Sequence, residues 1–238
     1  MANSILVLGN SGQGKTTSYM PNEEVGIKGL NPKETFLFNV TSKPLPAKGW
    51  KKMYTEFNKI INPDGNMVST TNYSTIISFI KSIPTHKPHI KNIVIDDSNY
   101  LMTTEFMSRN SEVGYNKFND IAANYYNLLN TGINLPSHIN FIVMAHTENA
   151  DGEYQLKSIG KMVREKITPE GYFTYCLVTC TNTEFNGETK YGFYTNRTMD
   201  NKGVLVPAKT PIGVFEDLMI PNDLGYVIEK IEKYNNGE

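Results

Sequence analysis

Gly9-Asn10-Ser11-Gly12-Gln13-Gly14-Lys15-Thr16 fills every fixed position of the G-x-x-x-x-G-K-[S/T] pattern. The residue types explain the chemistry. Glycines let backbone N–H groups turn inward around an anion, a lysine brings a point charge to the outer phosphates, and a hydroxyl offers a ligand to Mg²⁺. The expected ligands are ATP and Mg²⁺. Gly9 through Thr16, with the following Thr17, would surround the phosphates, Lys15 would reach the β- and γ-phosphates, and Thr16 would ligate the metal. Such a site needs an acid at the end of a second apolar strand. Ile93-Val94-Ile95-Asp96 supplies it, and this strand is expected beside the one that feeds the loop, so that Asp96 holds Mg²⁺ through a water. The neighbouring Asp97 offers either a cap for a helix over Ser98–Met107 or a carboxylate that activates the attacking water.

A third group follows another apolar strand, Ile139–Ala145, which closes on His146-Thr147-Glu148. In a parallel sheet the strand C-termini face the ligand, which would bring His146 to the γ-phosphate as a sensor of its presence. Glu148 competes with Asp97 and Glu105 for orienting the water, and residue types alone do not separate them. His86 and His89 are spaced like a weak metal pair, but no Cys or third His accompanies them, and they read as loop residues.

Elements must position these groups. Strands are expected at Ser4–Leu8 and Glu34–Asn39, followed by a Pro-interrupted loop over Thr41–Gly49. A short helix should start at Lys15 and be limited by Pro21. A helix capped by Asn72 should carry Ile76, Ile80 and Ile83 and end before Pro84, and another should bury Ile121, Ala122, Tyr125, Leu128 and Leu129. Tyr172–Thr181 and Lys190–Thr195 read as a hairpin turning at Asn186-Gly187, and Asn222–Tyr234 as a last amphipathic helix. Alternating strands and helices with a β-rich tail define an α/β class: one domain over residues 1–238 with a mostly parallel central sheet flanked by helices and an antiparallel extension over roughly 172–238.

Composition bounds the alternatives. The chain has 238 residues, 23 Lys plus Arg and 24 Asp plus Glu, a net charge of −1, which excludes a dominant electrostatic grip on nucleic acid while allowing a local basic patch. Apolar residues make up 39%, no run approaches a membrane span, and the N-terminus lacks the order of a secretory signal, so an intracellular protein with no membrane association is expected. Cys176 and Cys180 stand four apart on one strand, roughly 13 Å, too far to pair within it. Arg occurs only at Arg109, Arg164 and Arg197, fewer than a small-molecule or nucleotide kinase brings to transferring phosphates. Asn116-Lys117-Phe118-Asn119 ends in the wrong residue for a guanine-reading segment.

The loop at Gly9–Thr16, the run Ile93–Asp97, the strand ending in His146-Thr147-Glu148 and the tail Pro207–Phe215 together resemble phage-encoded RecA-like P-loop ATPases of the compact type associated with single-strand annealing and recombination. That resemblance spans nearly the whole chain and implies a RecA-like P-loop NTPase core. It also implies ATP hydrolysis linked to single-stranded DNA, a ring or filament of identical subunits, a phage single-strand-binding protein as partner, and the cytoplasm of an infected bacterium. It casts Lys209 as a cation reaching a neighbouring subunit's γ-phosphate. It assigns DNA contact to two mobile loops, here Arg109–Asp120 and roughly Asn149–Gly171. Two departures stand out. Asn39-Val40-Thr41 occupies the place of the family's water-activating Glu, and no separate oligomerisation domain precedes the loop. The different reading is a nucleotide-gated binding or loading module with little hydrolysis.

Overall fold

A strand covered on both faces needs an unbroken apolar run, because alternate residues point to opposite sides. Asn3–Leu8 (β1) meets that condition in the computed structural model, which describes residues 1–183 and 189–238. Leu6 and Leu8 pack into one apolar cluster, Ile5 and Val7 into another on the opposite face. The same division runs along Thr35–Asn39 (β2), Asn92–Asp96 (β4) and Asn140–Ala145 (β5). The short strand Met67–Val68 (β3) and the nine-residue strand Tyr175–Thr183 (β8) extend the sheet on its two sides.

Eight strands form the central sheet in the order β12-β9-β8-β1-β5-β4-β2-β3, with Thr189–Tyr194 as β9 and Met219–Pro221 as β12. Neighbours from β3 through β8 are all parallel, and only β9 and β12 pair antiparallel. The expected antiparallel extension is present, with β8 paired antiparallel to β9, and β8 also pairs parallel with β1, Leu6 opposite Cys176. The expected adjacency of the acid-bearing strand and the loop's strand is corrected. β5 lies between β4 and β1, bonded to both. The Asn186-Gly187 turn lies outside the described residues. A second sheet of four short strands, β10-β11-β7-β6, comprises Thr147–Ala150 (β6), Glu153–Leu156 (β7), Thr198–Met199 (β10) and Leu205–Val206 (β11).

Helices cover the two faces. Tyr73–His86 (α3), Asn99–Ser108 (α4) and Asn116–Ile133 (α5) bury Ile76, Ile80, Ile83, Leu101, Ile121 and Leu128 on one side. Lys15–Tyr19 (α1) and Leu224–Asn236 (α7) pack on the other, with Trp50–Met53 (α2) at its margin. α3 does not end before Pro84: it continues to His86, carried through by the burial of Ile80 and Ile83, so His86 is helical. α5 starts at Asn116, which shortens the expected loop Arg109–Asp120 to its first seven residues. The expected loop Asn149–Gly171 is structured too. It holds the β6–β7 hairpin, a wide helical turn over Val163–Ile167 and the short helix Pro169–Tyr172 (α6). Cys176 and Cys180 are buried free thiols. Among the described residues no helix is long and apolar enough to cross a membrane.

The seat of α7 is set by a backbone-to-backbone approach. Asp223 caps the helix and its carboxylate also accepts the N–H groups of Lys28 and Gly29. A Cβ on Gly225 would lie 2.1 Å from the carbonyl oxygen of Gly29. Neither backbone can rotate away, so Gly225→Ala should lower unfolding free energy by about 1–3 kcal/mol. Urea titration checks this, and a loss too small to resolve would show that α7 can shift without cost.

Candidate functional site

Backbone freedom makes the loop possible. Gly12 and Gly14 hold left-handed φ values of 77° and 85°, a region side chains disfavour. Gly9 has a different reason: a Cβ there would fall 1.8 Å from Thr179 Oγ1 on β8. α1 is only five residues long, so its dipole is small and the cradle depends on the loop's own N–H groups and Lys15. Two side chains brace the loop from behind. Asn10 Oδ1 accepts from Thr147 Oγ1 at 2.9 Å, and Gln13 Oε1 accepts from the Asn10 N–H at 2.7 Å and from Thr179 Oγ1 at 3.2 Å.

The Lys15 ammonium is buried and donates only to carbonyls, Gly9 at 2.9 Å and Asn10 at 3.1 Å. Burial lowers its proton affinity, and the charges of Asp97 and Asp96 partly restore it. Asp96 ends β4 with its carboxylate between two hydroxyls, Thr16 Oγ1 at 3.3 Å and Tyr19 at 3.1 Å. No cation pairs with it among the described residues, and burial, followed by the neighbouring Asp97, pushes its pKa up to about 6. The Thr16 hydroxyl and the Asp96 carboxylate are hard oxygen donors side by side, and the uncompensated negative charge is what a divalent cation would neutralise. The donor set fits Mg²⁺.

Asp97 is not the cap of α4, whose first flanking residue is Ser98. It adopts φ 59°, a strained conformation for a side-chain-bearing residue, which turns its carboxylate toward the loop region. There it meets His146 Nε2 at 3.2 Å and Lys43 Nζ at 3.7 Å. Burial works to raise its pKa, but the His146 hydrogen bond and the charges of Lys15, His146 and Lys43 outweigh it and hold the carboxyl below the usual range. The His146 ring sits edge-on to Tyr100, 5.7 Å between centroids, and its backbone N–H donates to Asn99 Oδ1. A cavity of about 510 Å³ opens over these groups, lined by Ser11, Gly12, Gly14 to Thr17, Asn39, Lys43, Asp96, Asp97 and His146.

The residues expected from sequence divide accordingly. Lys15, Thr16, Thr17, Asp96, Asp97 and His146 converge from α1 and the C-terminal ends of β4 and β5 on one cavity. Asn10 and Gln13 turn their side chains to the loop's rear. Glu148 does not line the cavity; its Oε1 accepts the Ser158 N–H at 3.3 Å. Glu105 is likewise engaged elsewhere, by Arg109 and Asn124. Lys209 pairs with Cys176 through the backbone, and its ammonium donates to the Gly171 carbonyl at 3.3 Å, outside its own cavity. Lys43 was not legible as a site residue. It belongs to a proline-interrupted loop, which is folded back over the cavity by the bond from Asn39 Nδ2 to the Lys43 carbonyl, 2.8 Å, and by the burial of Leu45 and Ala47.

Fold and site together define an α/β protein with a phosphate-binding loop at the C-terminal edge of a mostly parallel sheet. No protein-family model and no curated protein matches the chain. Among solved structures, a KaiC-like protein from the hyperthermophilic archaeon Pyrococcus horikoshii aligns over 81% of this chain and 77% of its own, with 18% identity and a TM-score of 0.42.

Keeping Asp96 charged opposes folding of the ligand-free protein. A carboxyl whose pKa is raised on folding contributes stability below its unfolded value, near 3.8, and that contribution is lost as pH rises through about 6. Asp96→Asn should therefore stabilise the ligand-free protein at pH 8 by about 1–3 kcal/mol, the gain fading toward pH 4. Denaturant titrations across this range check it; a gain independent of pH would show that the buried charge is not its origin.

Proposed function

We propose that the chain is a Mg²⁺-dependent ATPase of RecA-like type, and that one observation carries the reading: Lys15, Thr16, Asp96, Asp97, His146 and Lys43, from separate elements, face a single cavity of about 510 Å³. The loop's N–H groups and Lys15 bind the β- and γ-phosphates. Thr16 and Asp96 would hold Mg²⁺, which when bound neutralises charge on the phosphate oxygens. Asp97, oriented by His146, positions the attacking water and takes up its proton; the terminal phosphate leaves with the water's oxygen. Asp97 is preferred over Glu148 and Glu105 because it alone of the three lines the cavity.

The finer reading couples hydrolysis to single-stranded DNA in phage recombination or annealing, within a homo-oligomer. It is supported by the direct bond between the second sheet and the loop, Thr147 to Asn10. Within Arg109–Asp120 the cations are already engaged. Arg109 pairs with Glu105, Glu112 and Asp120, and Lys117 donates to the Glu112 carbonyl. The second reading, a nucleotide-gated module with little hydrolysis, is favoured by Asn39 at the end of β2, where no carboxylate faces the cavity.

The nucleotide site is tested by affinity and turnover together. Lys15→Ala should abolish ATP binding. Lys43→Ala should leave ADP affinity unchanged while reducing the preference for a slowly hydrolysed ATP analogue about tenfold, the worth of one charge-assisted hydrogen bond. Unchanged affinity in Lys15→Ala overturns the site. Binding without turnover by the unsubstituted chain, with or without DNA, selects the nucleotide-gated module.

A trans role is proposed for Lys209, since β1 is interior to the sheet and the Lys209 ammonium points outside its own cavity. Lys209→Ala should bind ATP but turn over slowly, and mixing it with Lys15→Ala should restore activity at interfaces that join intact halves. A mixture as inactive as its components, with mixed oligomers present, excludes the role.

A further inference from the structure

The near-neutral net charge conceals a strong segregation. Residues 41–91 hold eight lysines and two carboxylates, Glu56 and Asp64, a net of +6 in a chain whose total is −1. Three of these lysines are paired: Lys43 with Asp97, Lys48 with Glu24 and Lys91 with Glu34. Among the described residues Lys51, Lys52, Lys59, Lys81 and Lys87 have no carboxylate within ion-pair distance, nor has Lys33 just before β2.

The fold gathers part of this charge into a cleft. A depression of about 370 Å³ is lined by Lys33, Lys52, Lys87 and His89, with Asp64 as its one carboxylate. Its walls are built. Asn66 Nδ2 donates to the carbonyls of Pro32 at 2.8 Å and Met53 at 2.9 Å, tying the β2 approach to α2. Lys87 lies over the Phe57 ring, 5.2 Å to the centroid, and donates to the Pro63 carbonyl at 2.8 Å. Lys33 and His89 stand just before β2 and β4, so the cleft is at the strands' N-terminal ends, whereas the nucleotide cavity is at their C-terminal ends.

We propose that this cleft is a binding site for the backbone of single-stranded nucleic acid, separate from the nucleotide cavity. Several lysines offered as point charges, with one carboxylate among them, match a chain of singly charged phosphates. A cationic depression suits a flexible single strand, whose backbone can follow it, better than a stiff duplex. The site deepens the single-strand part of the function proposed above, relocating the contact from the two expected loops, and it stands whether or not ATP is hydrolysed.

Fluorescence anisotropy with a labelled oligothymidylate tests it. Lys33→Ala/Lys52→Ala, two exposed positions outside the nucleotide site, should weaken binding at least tenfold at low salt. The slope of log affinity against log salt should fall by about 1.4, two single-strand phosphate contacts. Lys33→Arg/Lys52→Arg should restore both, and ATP affinity should stay unchanged throughout. Lys157→Ala/Lys161→Ala should leave oligonucleotide affinity near that of the unsubstituted chain. The proposal is overturned if the cleft pair binds normally, if the loop pair carries the loss instead, if the unsubstituted chain does not bind, or if polyglutamate competes as well as unlabelled oligonucleotide. Normal cleft-dependent binding by a chain that fails to hydrolyse ATP would refute the ATPase reading and leave this one intact.

Discussion

Two adjacent carboxylates at the end of one buried strand repel each other, and the arrangement of the site follows from how each is compensated. Asp96 stays inside, between the hydroxyls of Thr16 and Tyr19, with no ion-pair partner among the described residues. Asp97 is turned the other way by its left-handed backbone and meets His146 and Lys43. One acid is thus left with a deficit of positive charge and the other with a surplus. In the reading proposed above, this division separates a metal-holding role from a water-orienting one without requiring different residue types, since environment sets the behaviour of chemically identical groups.

The sheet order serves the same end. With β5 between β1 and β4, His146 emerges between the loop and the two acids. It is held by Asn99 through its backbone and by Asp97 through its ring. The next residue, Thr147, bonds Asn10 at the rear of the loop and begins the second sheet. A displacement of His146 therefore has a short covalent and hydrogen-bonded route into β6 and β7. Gly9 and Thr179 lock the loop to β8 on the other side, leaving the front as the open face.

Charge is distributed along the other axis of the molecule. The nucleotide cavity balances its acids with a few cations, while the opposite end of β2 and β4 collects lysines with little to oppose them. The two ends are separated by the length of a strand, roughly 17 Å, which exceeds the screening length at physiological salt.

Local chemistry made much of this legible. The phosphate loop, the acid closing Ile93–Asp96 and the apolar runs of β1, β4 and β5 are contiguous signals, because backbone geometry and strand burial act on neighbouring residues. Helix periodicity located α3 and α5, though not the continuation through Pro84, which the packing of Ile80 and Ile83 decides. Sequence could not rank Asp97, Glu148 and Glu105, since all three are carboxylates near strand or helix ends. Only tertiary placement brings Asp97 alone of them into the cavity. Lys43 enters through a loop that Asn39 folds back, and the lysine cleft assembles residues from before β2, from α2 and from before β4. What the sequence determined by itself is the chemistry of short contiguous motifs. The insertion of β5, the partner of each acid and the place where unpaired charge collects were decided by the pairing of distant segments, which local propensity does not encode.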